Sequence, residues 1–259
     1  MLWYKSWLET RWRFLIGVVL LAGSGTVIVL AYTQVMRMLE PLVPLVPATD
    51  SGGNVGRQLR EAAELLRSYR GYVWSQWFRQ NLPEVWVIFA VLLGTGGLLT
   101  QTSTGGALYT LSMPVSRARL LGVRAATGLA ELFALAMVAA LVVPLMSPLV
   151  GQSYGVGDAL VHGVCLFVRG SIFFSLAFLL STTFVDVWRP VLIAFCSIVV
   201  LGLIEQNFHD ALPSSLFHIM SGERYFRGGG VPWPGLLVSV IVSAAMIYAA
   251  VANISRRDF

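Results

Sequence analysis

The order of apolar and polar positions is the strongest signal in this chain. Phe14–Tyr32 runs for 19 residues with no ionisable group before its terminal Tyr. A helix needs roughly 20 apolar residues to cross a hydrocarbon core. Similar runs recur, and they predict six spans: Phe14–Met36, Pro83–Thr100, Thr127–Met146, Ala159–Leu180, Phe184–Ile204 and Pro234–Ala252. The fifth is the weakest. Its uninterrupted core, Val191–Ile204, must borrow Phe184–Pro190, with Asp186 and Arg189, to reach spanning length, so a short or broken span is expected there. Backbone polar groups cannot face lipid unpaired, so each span is a helix. The predicted fold is all-α and polytopic, with residues 1–259 forming one transmembrane domain.

The stretches between spans have patterns of their own. Residues 1–13 interleave Trp3, Tyr4, Trp7 and Trp12 with Lys5, Arg11 and Arg13, which predicts a helix lying in the membrane interface. Residues 37–82 form an extracytoplasmic loop whose Pro-rich and Gly-rich start leads into a helix with Leu59, Ala62, Ala63, Leu66 and Tyr69 on one face. The aromatics that follow, Tyr72, Trp74, Trp77 and Phe78, suit the outer headgroup region. Residues 205–233 are too short to cross twice and too apolar for a free loop, so a re-entrant helical hairpin is expected.

Composition agrees with the pattern. Only 12% of residues are charged, about half the share in soluble domains. Charge placement then sets orientation. The N-terminal stretch, residues 101–124, residues 181–189 and the C-terminal tail carry nine Lys and Arg against three acids, whereas the other side carries eight against nine. Positive charge favours the cytoplasm, so both termini are expected there, in a cell membrane. The net +5 is spread among loops rather than gathered on one face, which argues against nucleic-acid binding.

Little catalytic chemistry is legible. The chain has no GxxxxGK[ST], HExxH, CxxC or GxSxG motif. Cys165 and Cys196 sit in apolar runs and behave as small hydrophobes. His209, Asp210 and His218 lack the tight spacing of a metal site, so no metal is expected. Two charges fall inside spans, Glu131 in the third and Arg169 in the fourth. Each costs about 2.5–3.5 kcal/mol on insertion scales, so the reading is that they pair across adjacent helices or line a polar path.

One loop is specific. Leu111, Ser112, Pro114, Val115, Ser116 and Arg117, in the run LSMPVSRARLLGVR, resemble the loop after the second span in permease subunits of ABC-2 type (type V exporter-like) ABC transporters. The tail Ser255-Arg-Arg-Asp-Phe259 resembles that family's basic-Arg-Asp-Phe ending. Where the family carries an acid and a Gly-Thr pair, this chain has Gln101 and Gly105-Gly106. The resemblance implies a cytoplasmic coupling loop at 101–118, with Ser112, Pro114, Val115, Ser116 and Arg117 contacting a separate ATPase subunit. It also implies a second permease subunit, and ATP and Mg bound by the partner, with no cofactor in this chain and no enzymatic activity of its own. The cargo expected is hydrophobic or amphipathic. The alternative from another class is a stand-alone secondary transporter using the Glu131 and Arg169 pair.

Overall fold

The computed structural model describes residues 2–39, 65–66, 68–95, 116–184, 186, 188–207 and 216–255. Among these residues every element is helical. In chain order they are α1 (Leu2–Leu39), α2 (Tyr69–Val73), a π-helical segment (Trp74–Asn81), α3 (Leu82–Gly94), α4 (Arg117–Met146), a 3-10 turn (Ser147–Val150), α5 (Val156–Ser181), α6 (Trp188–Asn207), α7 (Leu216–Met220), α8 (Glu223–Phe226) and α9 (Trp233–Ser255). Five of them, α1, α4, α5, α6 and α9, are long and apolar enough to cross a membrane. The architecture is that of a helical multi-pass membrane protein.

The predicted second span corresponds to α3, which has 13 described residues; residues 96–100 lie outside the described set. With α2 and the π-helical segment, α3 forms one unbroken helical run, Tyr69 to Gly94. Of the predicted hairpin over 205–233, α7 and α8 are described, while residues 208–215 are not.

Two expectations need correction. The interfacial helix expected over 1–13 is not a separate element, because α1 continues through it without a break. No Pro or Gly interrupts Leu2–Ile16, and polar contacts to α3 and α4 hold this end of α1 against the bundle. At about 1.5 Å per residue the helix reaches roughly 57 Å, well beyond a hydrocarbon core of about 30 Å. The second correction concerns the outer aromatics. Trp74 and Trp77 are fully buried and Phe78 nearly so, inside protein rather than among headgroups. Their polar handles are satisfied within the bundle: Trp77 Nε1 donates to Ala139 O at 2.9 Å and Trp74 Nε1 to Ser221 O at 3.1 Å.

Contacts fix the helix directions. Thr10 meets Glu131 and Gly25 meets Val142, so α1 and α4 run parallel. Arg13 meets Leu92 while Gly17 meets Phe89, so α3 runs against α1. Trp86 lies on Gly170 and Gly94 on Phe174 and Ala177, so α5 runs with α3. Ser171 meets Ser243 and Thr182 meets Asn253, so α9 runs with α5 too.

The central helix is α5, which packs on α3, α4, α6, α7 and α9 and buries residues around most of its circumference. Small residues allow this closeness. A Cβ on Gly170 would collide with Trp86 Nε1. By contrast, α1, α6 and α9 turn large apolar side chains outward, such as Val19, Leu192 and Ile241, as lipid-facing helices do.

Candidate functional site

Two polar regions stand at opposite ends of the bundle. One lies where α3 ends and α4 begins; residues 96–115 between them in sequence, which contain most of the sequence-predicted coupling loop, lie outside the described set. Arg13 of α1 donates through Nη1 to Leu92 O at 2.7 Å and to Thr95 O at 2.9 Å. Those carbonyls end α3, where the helix leaves acceptors unpaired and its dipole favours a cation. On the far side of the segment, Ser116 is the N-cap of α4, with extended backbone and its Oγ accepting from Arg119 N–H. About two and four turns further along, α1 grips α4. Arg124 Nη1 and Glu9 Oε2 form an ion pair at 2.9 Å, and Thr10 Oγ1 donates to Glu131 Oε1 at 2.5 Å.

The sequence-predicted residues fall as follows. Ser116 is a cap; Arg117 opens α4, and its side chain lies outside the described set. Ser112, Pro114 and Val115 lie outside the described residues. Glu131 and Arg169 are both buried, and the structure does not bring them together. Glu131 faces α1, bonded to Thr10, with Arg124 as its cationic neighbour. Arg169 faces α9, donating through Nη1 to Ser239 Oγ at 2.8 Å and to Gly235 O at 3.1 Å. Ser171 and Ser243 extend this seam at 3.0 Å. Arg169 therefore joins two helices through polar groups rather than through a carboxylate on α4. A weak signal for that seam exists in the sequence: Gly235, Ser239 and Ser243 recur every four residues on one face of the last span.

The region at the opposite end has no counterpart in the sequence analysis. A cavity of about 1210 Å³ lies between the π-helical segment with α3, the C-terminal half of α6, and the α7–α8 hairpin. One wall steps every four residues from Gln76 through Gln80 and Glu84 to Ile88, with Arg79 and Val87 beside it. The wall from α6 carries Phe195, Ile198, Val199 and Gly202. The hairpin contributes Phe217, His218, Glu223 and Arg227.

That hairpin is held by interlocking contacts. Glu223 accepts from His218 Nδ1 at 2.7 Å and from Arg227 Nη2 at 2.7 Å. The shared hydrogen bond lowers the Glu223 carboxyl to about 2 and raises the His218 imidazole above its usual value. Phe226 stacks on Trp74 at 4.3 Å, with the Arg70 guanidinium over Phe226 and that of Arg79 over Trp74. Arg70 also pairs with Asp158 at 3.3 Å, and Asp158 accepts from Tyr225 Oη at 2.8 Å. Between α7 and α8, Gly222 adopts φ +65°, and a Cβ there would meet His162 Nδ1 at 2.6 Å. His162 donates through Nδ1 to Ser221 O at 3.0 Å, so it is a support for the hairpin turn. His218 has Glu223 as its described partner, and His209 and Asp210 lie outside the described residues. Among the described residues no group of His, Cys, Asp and Glu assembles a metal site.

No family model, curated protein or solved structure matches this chain.

Proposed function

We propose that this chain is the permease subunit of an ABC transporter, an exporter of hydrophobic or amphipathic cargo driven by separate ATPase subunits. In this reading six spans place both termini in the cytoplasm, two permeases associate, and residues 101–118 contact the ATPase, which binds ATP and Mg. The observation that carries it is the anchoring on both sides of that loop. Arg13 holds the helix end before it, Ser116 caps the helix after it, and Glu9 and Thr10 tie α4 back to α1. A pull or push on the loop is thereby delivered to three helices together, which suits mechanical coupling between packed elements. The LSMPVSR motif on that loop supports the same role.

The test is co-purification with the ATPase encoded beside it, followed by substitution of the loop. Wild-type chain should stimulate ATP hydrolysis by that partner. Arg117→Glu should abolish stimulation while the chain remains folded and membrane-inserted. If the lone chain instead transports cargo on a proton gradient, the secondary-transporter reading replaces this one. The separate partners of Glu131 and Arg169 weigh against a shared intramembrane ion pair as the engine of that alternative.

A further inference from the structure

The outer cavity has a polarity gradient along its length. Gln76, Arg79, Gln80 and Glu84 line one end of the wall, and Val87 and Ile88 the other. From Gln76 to Ile88 the helix advances roughly 18 Å, close to one leaflet's share, about 15 Å, of the hydrocarbon core. The apolar end is open at its side: Ile88 is 43% and Val199 59% exposed, next to α6, a helix long and apolar enough to cross a membrane. The polar end meets the hairpin. There the Glu223 carboxylate already pairs with His218 and Arg227, whereas among the described residues no carboxylate pairs with Arg79. With His218 protonated, the lining holds three cations, Arg79, His218 and Arg227, against Glu84 and Glu223; Glu205, near His218 but not in the lining, accepts from Phe217 N–H at 3.2 Å. The volume exceeds the about 300–1,000 Å³ of ordinary small-molecule sites.

We propose that this groove binds a single-tailed membrane amphiphile with an anionic headgroup, its head at Arg79 and its chain along Ile88, Ile198 and Val199. The chain enters sideways from the bilayer without leaving hydrocarbon, and the head stays at the interface beside the hairpin. The outer-leaflet position rests on the orientation proposed above; the binding itself does not.

The experiment uses the purified full chain in nanodiscs and two lipids with one identical diazirine-bearing acyl chain. One is lysophosphatidic acid; the other is the monoacylglycerol, which differs only by lacking the phosphate. Adducts are mapped by mass spectrometry. The phosphate-bearing lipid should label Ile88, Phe195 and Val199 about tenfold more than its neutral twin, the effect of one charge-assisted hydrogen bond. Arg79→Gln should reduce that labelling to the neutral level, Arg79→Lys should retain most of it, and Arg37→Gln, a cation outside the groove, should leave it unchanged. Equal labelling by both lipids would overturn the proposal, as would adducts spread evenly over Leu192, Leu203 and Ile241. So would displacement of the lipid by millimolar inorganic phosphate alone. A benzophenone at position 88 that captures a second copy of the chain instead of lipid would assign the groove to an interface between copies. No ATPase is present, so failure here is distinct from failure of the transporter reading.

Discussion

Replacing Arg13 with Met keeps an unbranched apolar stem of similar helix propensity but removes the guanidinium. The consequence is set by what Arg13 does: a single Nη1 donates to two carbonyls, Leu92 O and Thr95 O, at the end of α3. One charge-assisted hydrogen bond contributes about 1.5–3 kcal/mol, and a cation at a helix C-terminus adds about 0.3–1 kcal/mol. The two bonds share one nitrogen and are not independent, so the loss should be about 2–3 kcal/mol rather than their sum. It should be local. The last turn of α3 also packs on α5 through Gly94, but among the described residues Thr95 has no hydrogen bond beyond its own turn other than the one from Arg13. Hydrogen–deuterium exchange on the purified chain reads this directly: amides of Val91–Thr95 should exchange about thirtyfold to a hundredfold faster, while those of α5 stay unchanged. In complex with the ATPase, stimulation should fall in parallel. If Arg13→Met leaves exchange at Val91–Thr95 unaltered, the cap is not what fixes this end of α3, and the mechanical argument loses its first link.

Two further outcomes follow. Gly170→Ala drives a methyl into the Trp86 indole, so the ring or the α3–α5 spacing must shift. Overpacking of this kind costs about 1–3 kcal/mol, against a helix-propensity gain of at most about 1 kcal/mol. Thermal unfolding should show Gly170→Ala less stable than Gly23→Ala, whose new methyl meets nothing within 4 Å, and Trp86→Phe should recover part of the loss; equal midpoints for the two alanines would refute the close approach. The hairpin should also respond to pH. His218 is raised by Glu223, with Arg79 and Glu205 as the other charged neighbours across the groove, so its contribution is complete below the ordinary imidazole value of 6.5 and fades as pH rises through the raised value. The Glu223 contribution is complete above 4.5 and is lost only as pH falls toward about 2. Exchange protection across residues 217–226 should therefore be greatest between those limits and decline above them, and His218→Gln should flatten the decline. Protection that holds level from pH 5.5 to 9 would rule out the pair as the fastening.

The sequence makes the spans legible because lipid imposes one requirement, apolar length, that needs no knowledge of neighbours. The ends of α5 and α9 fall within a few residues of the run boundaries for that reason. Interfacial behaviour is less legible, since aromatic residues near basic ones suit both a headgroup region and a protein interior. Trp77 is decided by Ala139, a carbonyl 62 positions away, and no local pattern contains that information. Arg13 reads as a topology charge beside Arg11 until the end of α3 is placed next to it. The intramembrane charges show the same limit. Run length puts both Glu131 and Arg169 inside adjacent spans, but the azimuth of each helix sends one toward Thr10 and the other toward Ser239. The groove, assembled from three separated segments, has no counterpart in any single stretch.

The helical run from Tyr69 to Gly94 links the two regions. Its inner end is gripped by Arg13, its middle lies on Gly170 through Trp86, and its outer half forms the graded wall of the groove. Twenty-odd residues of continuous helix cannot shorten, so a displacement imposed at the inner end must appear elsewhere along the run. The Trp86–Gly170 contact leaves little room for sliding, because side chains larger than hydrogen at that position already collide. The π-helical segment Trp74–Asn81 is the irregular part of the run, and such segments are frequent at functional sites. It carries Gln76, Arg79 and Gln80, the polar end of the groove. Under the transporter reading, motion at the cytoplasmic loop would therefore be expressed in this segment beneath the headgroup position, moving Arg79 relative to His218 and Arg227 while the apolar wall on α3 stays fixed to α5.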